Sequence, residues 1–175
     1  MHEHSPTRTA SDRWFETARS IVERDATYLD AGRWDDWVAL YATDCEFWVP
    51  TQLADGTFAR DPLTQMSHIY YSNRDALLDR VTRFTSDNSV ASIPRPRTLH
   101  HQTNFTACDD APPGCLRIAC NWSTNWYLPL TREENILFGR QKFELTLNDE
   151  ELIISKKYVE IFNDYIPTMI DIYML

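Results

Sequence analysis

Three observations predict an α+β domain whose curved antiparallel sheet is wrapped over N-terminal helices. Apolar residues recur at helical spacing up to about residue 41 and again over residues 72–85. From about residue 97 most stretches alternate apolar and polar with period two. Turn signals separate those long strands closely, which makes them successive antiparallel neighbours in a meander.

The 175-residue chain is long enough for one domain with a continuous core. We read residues 1–10 as a flexible N-terminal arm and 11–175 as a single domain. Ser11 is a plausible N-cap for a first helix in which Trp14, Ala18, Ile21, Val22 and Leu29 share one face with Asp25. Gly32 stops it in the C′ position. A shorter helix fits Trp34 to Tyr41, with Asp35 and Asp36 in the first turn, where carboxylates complement the helix dipole. Trp34, Trp37, Val38 and Tyr41 fall on one side of it.

Cys45–Val49 then reads as a strand closed by Pro50, TQLADGTFARDPL as a loop and QMSHIYY as a second strand. Ser72 with Asp75 three residues on resembles a capping box. It opens a third helix with Leu77, Leu78, Val81 and Phe84 as its apolar face. Beyond it TLHHQTNFTAC, LRIACNWSTNWYL, ILFGRQKFELTL and LIISKKYVEIF read as four strands, divided by DDAPPG, TREEN and NDEE.

Composition narrows the function. The net charge of -9 argues against nucleic acid or anionic lipid as partner, since both require basic patches. No apolar run approaches the roughly 18 residues of a membrane span, and MHEHSPTRTASD lacks the apolar region of a signal peptide. A cytoplasmic protein is therefore expected. Cys45, Cys108, Cys115 and Cys120 form no CxxC pair and are expected as reduced thiols.

The chemical motifs are mostly missing. The sequence holds no HExxH, no GxSxG and no glycine-rich phosphate loop. No cysteine is followed within three residues by a histidine, so the paired motifs of a Rieske cluster are absent. His100 and His101 are adjacent on a strand and point to opposite faces, a poor arrangement for one metal. Acid–base chemistry in a pocket of the cone stays open, with Asp25, Asp61, Tyr70 and His100 as candidates. The plainer reading of Asp25 is a buried acid paired with an arginine such as Arg97. For Tyr70 and Tyr71 it is core or interface packing.

Longer stretches carry a resemblance. YLDAGRWDDWVALYATDCEFWVP, HIYYSNRDALLDRVTRF, RPRTLHHQTNF and KKYVEIFNDYIPTMIDIYML together resemble the small (beta) subunit of aromatic-ring-hydroxylating dioxygenases, in that family's order. DPLTQMSHIYYSNRDALLDRV most resembles the branch acting on benzoate, toluate and anthranilate. The resemblance implies a cone-shaped fold of the nuclear transport factor 2 (NTF2-like) and ketosteroid isomerase kind. It implies a large (alpha) subunit partner, commonly as an α3β3 heterohexamer, that carries the Rieske [2Fe-2S] cluster and the mononuclear Fe(II). Electrons would come from a separate reductase, with or without a ferredoxin.

The resemblance transfers no catalytic, cofactor or metal residue to this chain, whose expected role is assembly in an oxidoreductase of aromatic catabolism. Trp34, Trp37, Phe47 and Trp48 are then expected to pack the helices on the sheet, with Tyr70, Tyr71, Ile172 and Tyr173 as further core or interface candidates. Ile166, Met169, Ile172 and Tyr173 are expected to complete the sheet or dock on another subunit. The alternative is a stand-alone isomerase, dehydratase or small-ligand binder that uses the cone pocket.

Overall fold

A computed structural model describes residues 10–86, 94–149 and 151–175. Helix α1 spans Ala10–Asp30, so Ser11 lies inside the helix rather than capping it. Ala10, expected in the arm, is already helical, and residues 1–9 of the expected arm fall outside the described residues. Ala18, Ile21, Val22, Ala26 and Leu29 are buried, and Asp25 is buried with them. Trp14, expected on this face, is 42% exposed, because the core first covers the helix around Ala18. The helix ends as expected. Gly32 has φ 65°, and the N–H groups of Gly32 and Arg33 donate to the carbonyls of Leu29 and Tyr28 at 3.1 and 2.8 Å. That bond pattern is a Schellman motif.

Helix α2 is short, Trp34–Ala39. Tyr41 belongs to strand β1 (Tyr41–Pro50) instead of the helix, since the chain is already captured by the sheet there. The Ile154 N–H donates to the Leu40 carbonyl at 2.9 Å. Strand β2 (Ser67–Tyr71) returns antiparallel to β1. Helix α3 (Arg74–Thr85) is capped by Asn73, whose side chain accepts from the Ala76 N–H. Ser72 is therefore not the cap; the carboxamide oxygen one residue later makes the N3 bond. Leu77, Val81 and Phe84 are buried, but Leu78 is 43% exposed, one helical step of about 100° off their stripe.

Strands β3 (Arg97–Ala107), β4 (Cys115–Leu128), β5 (Glu133–Asn148) and β6 (Glu151–Ile161) form the expected meander. The sheet order is β2-β1-β6-β5-β4-β3. It is not wholly antiparallel, because β1 and β6 pair in parallel. The long crossover that such a pair requires is supplied by α3 and the meander. Register breaks at Thr103/Thr106 and Glu144/Leu145 bend the long strands, as bulges do. Asn104, at the first break, takes φ 55°, a region asparagine tolerates. The curl lets α1 contact β3, β4 and β6 together.

Gly139 brings β5 and β6 close. A Cβ there would lie 2.0 Å from the Glu160 carbonyl oxygen, which is backbone and cannot yield. The inner sheet face packs Phe47, Trp122, Trp126, Leu137, Phe143 and Val159 against the helices. Trp37 joins them, and Trp34, Tyr71 and Tyr173 pack half-buried at the margin. Trp48 departs from the expectation: it follows inward-facing Phe47 on β1 and so turns to the opposite face. There its ring meets Tyr158 at 5.2 Å and its N–H donates to Ser67.

The last segment adds no strand. It folds under the core as a single 3₁₀ turn (Ile172–Met174) started by the Asp171 side chain. Asp171 is gripped by Arg80 at 2.9 and 2.5 Å. Ile170, Ile172, Met174 and Leu175 are buried, while Met169 is 83% exposed. Ile166 is half-buried against the core.

Candidate functional site

Two carboxylates on α1 organise the polar groups inside the cone. Asp25 sits three and four residues from Val22 and Ile21 on the buried stripe, so helical spacing carries it inward. Its Oδ1 accepts from the Trp37 indole N–H at 2.7 Å and from the Tyr41 hydroxyl at 2.6 Å. Its Oδ2 lies 2.6 Å from Lys157 Nζ, and neither side chain is more than 1% exposed. Lys157 also donates to the Leu175 main-chain oxygen at 3.0 Å. Its ammonium stands 5.3 Å from the ring centres of both Phe47 and Phe143. A charge sealed this deeply persists only when paired and hydrogen-bonded. Burial, followed by the neighbouring Asp25 charge, pushes the Tyr41 hydroxyl well above its usual 10. Tyr41 therefore stays a donor to Asp25.

Arg97, considered as the partner of Asp25, is elsewhere, with its guanidinium 5.9 Å from the Tyr127 ring centre. Lys157 was the residue that pattern reading passed over. Its signal lies in the alternation: Val159 and Ile161 face inward, and Lys157 shares their parity.

The second carboxylate, Asp30, ends α1. It accepts from Thr98 Oγ1, from the His100 main-chain N–H and from His100 Nδ1, the last at 2.6 Å. Burial raises the Asp30 pKa, but the His100 ring, its main-chain N–H and the Thr98 hydroxyl outweigh it and hold the carboxyl below its usual 3.8. The His100 side chain is 2% exposed. Among the described residues its Nε2 has no hydrogen-bond partner, and the same holds for Thr124 Oγ1 and Trp126 Nε1. His100 and Thr124 are register partners, and Trp126 follows two residues on along the same face.

The other pocket candidates stay outside. Asp61 accepts from Leu63 N–H and Thr64 Oγ1 and shapes a loop turn. Tyr70 pairs in register with Trp48 and is half-buried; burial and the nearby Glu46 push its pKa up. The cone thus brings Asp25 and His100 inside and leaves Asp61 and Tyr70 on the surface side.

Among the described residues no three His, Cys, Asp or Glu side chains converge as a metal ligand set. His101 is exposed, on the face opposite His100. The donor set for a Rieske cluster or a mononuclear iron is therefore not assembled by them. Burial pushes Cys45 up to about 11 and Cys120 up to about 12, so both remain thiols at neutral pH. The four cysteines are free. Among the described residues no helix is long and apolar enough to cross a membrane.

The ring hydroxylating beta subunit family model matches residues 24–168. The toluate 1,2-dioxygenase subunit beta of Pseudomonas putida is 35% identical over 159 residues, covering 91% of this chain and 96% of that one. A crystal structure of the beta subunit of the benzoate 1,2-dioxygenase from Burkholderia mallei superposes with a TM-score of 0.73 at 29% identity, covering 98% of this chain and 100% of that one. A scytalone dehydratase-like structure from Novosphingobium aromaticivorans shares the NTF2-like fold, with a TM-score of 0.63 at 15% identity over 88% of this chain and 89% of that one. The chain belongs to the ring-hydroxylating dioxygenase beta-subunit family.

Proposed function

We propose that this chain is the non-catalytic assembly subunit of an oxygenase that cis-dihydroxylates an aromatic carboxylate. The observation that carries the reading is the filled interior. Where a cone-fold enzyme would hold substrate, Asp25 has both oxygens occupied by Trp37, Tyr41 and Lys157. A carboxylate with both oxygens engaged and no exposure to solvent is a structural post. The substrate class rests on the toluate and benzoate named for the relatives.

On this reading residues 11–175 form one domain, in a cytoplasmic protein. The large subunit supplies the Rieske cluster and the mononuclear iron, in an α3β3 complex fed by a reductase, with or without a ferredoxin. Co-expression with the large subunit tests it. Light scattering should report a heterohexamer, and iron should follow the large subunit with none on this chain alone. Stoichiometric iron on the isolated chain, or failure to co-purify, would overturn the assignment.

One observation favours the second reading, a pocket that does chemistry. The Asp30–His100 pair resembles an oriented base, with Nε2 unpartnered beside Thr124. General acid–base loss typically costs about 10²–10⁴-fold in rate. His100→Gln should leave turnover of the assembled oxygenase within a few-fold of wild type; a drop of that larger size with assembly intact would favour the pocket.

A further inference from the structure

A cavity of about 310 Å³ opens beside the end of α1, bounded by Trp34, Phe84, Tyr173 and Arg95. That volume lies at the lower end of the range for small-molecule sites, about 300–1,000 Å³. Three rings form its walls. Trp34 and Phe84 meet edge to face at 4.8 Å, and Phe84 and Tyr173 at 5.6 Å. The ring positions are set from several elements: Phe84 is buried on α3, and the Trp34 indole packs on Gly32, whose absent Cβ would lie 3.6 Å from it. Offset ring surfaces of this kind favour a planar aromatic guest.

The polar handles are mainly donors. Among the described residues Arg95 makes one bond, from Nη2 to the Thr85 carbonyl at 3.3 Å, and the other donors of its fork meet no partner there. Pro94 and Pro96 flank it and restrict the backbone there to extended conformations. The Trp34 N–H and the Tyr173 hydroxyl bond to no other group among the described residues. Burial and the nearby Asp171, opposed by Arg80, push Tyr173 up to about 12, so it carries its proton at neutral pH. The acid on the wall, Asp30, has both oxygens engaged by Thr98 and His100. Aromatic walls that offer an N–H, an O–H and a guanidinium suit a ring that carries acceptors, and the guanidinium among them calls for an anion.

We propose that this slot binds an aromatic carboxylate, with the ring between Trp34, Phe84 and Tyr173 and the carboxylate on Arg95. The small subunit then has a ligand site of its own. The geometry of the slot is independent of the assembly reading; the choice of an aromatic acid as its natural ligand rests on it.

The test is titration of the full chain, without its partner, by benzoate and by its neutral isostere benzamide, followed by calorimetry and tryptophan fluorescence. Benzoate should bind saturably and change the fluorescence, and benzamide should bind at least about tenfold more weakly, the scale of one lost charge-assisted bond. Arg95 is exposed, so Arg95→Gln should leave the fold intact and weaken benzoate by a similar factor. Trp34→Phe keeps a ring and should abolish the fluorescence change while binding persists by calorimetry. Absence of saturable binding, or equal affinities for benzoate and benzamide, would overturn the proposal. So would benzoate binding unchanged in Arg95→Gln. Because no large subunit is present, none of these outcomes depends on whether the oxygenase assembles.

Discussion

Lys157 Nζ stands 2.6 Å from Asp25 Oδ2 across 132 residues of sequence, with both side chains sealed from water. The pair joins the first helix to the last strand, and Trp37 and Tyr41 complete it. Removing one member of such a pair leaves a buried charge without compensation, which typically costs about 3–5 kcal/mol. Lys157→Met should therefore lower the unfolding free energy obtained from urea titration by that amount at pH 7. Adding Asp25→Asn should restore much of the loss, since the amide oxygen still accepts from Trp37 and Tyr41 and no charge remains. A single Lys157→Met variant as stable as wild type would sink this account.

The Asp30–His100 contact predicts a pH dependence. The folded-state pKa of Asp30 is depressed below 3.8. A depressed carboxylate contributes stability that is present above its unfolded value and is lost as pH falls through the folded one. Urea midpoints measured from pH 7 down to pH 3 should therefore fall in wild type below about pH 4, near the unfolded aspartate value. In Asp30→Asn this component of the fall should be missing, from a lower starting stability. Parallel curves for the two proteins would remove Asp30 from the explanation.

Thiol reactivity follows burial. Cys45 and Cys120 are buried and pushed up to about 11 and about 12, while Cys108 and Cys115 are half-buried. The thiolate is the reactive form. An aromatic disulfide reagent at pH 8 should modify Cys108 and Cys115 in the native chain and reach Cys45 and Cys120 only after denaturant is added. Rapid native labelling of Cys120 would show that the cone interior opens.

The helices and the meander were legible because their signals are local: apolar periodicity, a glycine stop at Gly32, turns between alternating strands. The parallel β1·β6 pair was not, since a register between residues 41 and 154 leaves no trace in either segment alone. Trp48 was misplaced for a related reason. In an apolar run such as FWVP both parities are apolar, so alternation cannot say which face is inside. The site was half legible. Asp25 could be read from the helix stripe, whereas its partner depended on how far the sheet curls. Lys157 was recoverable from the parity of Val159 and Ile161, but adjacent Lys156 offered the same charge on the other face.

The closing segment YIPTMIDIYML ties stability to assembly. Ile170, Ile172, Met174 and Leu175 are buried in the chain's own core, and the Leu175 oxygen holds Lys157. Asp171 fastens the segment to α3 through Arg80. Deleting residues 167–175 would strip four apolar side chains, each worth roughly 1.5–3 kcal/mol of burial, from a fold with a typical total of only about 5–15 kcal/mol. The truncated chain should therefore be insoluble or molten when expressed alone, by circular dichroism and light scattering. Met169→Ser is the matching control, because Met169 is 83% exposed and its loss should leave the isolated chain's melting temperature unchanged. If Met169→Ser also weakens co-purification with the large subunit, the exposed flank of this segment meets a partner while its buried flank holds the fold. A truncated chain that folds and assembles normally would show that the segment serves neither purpose.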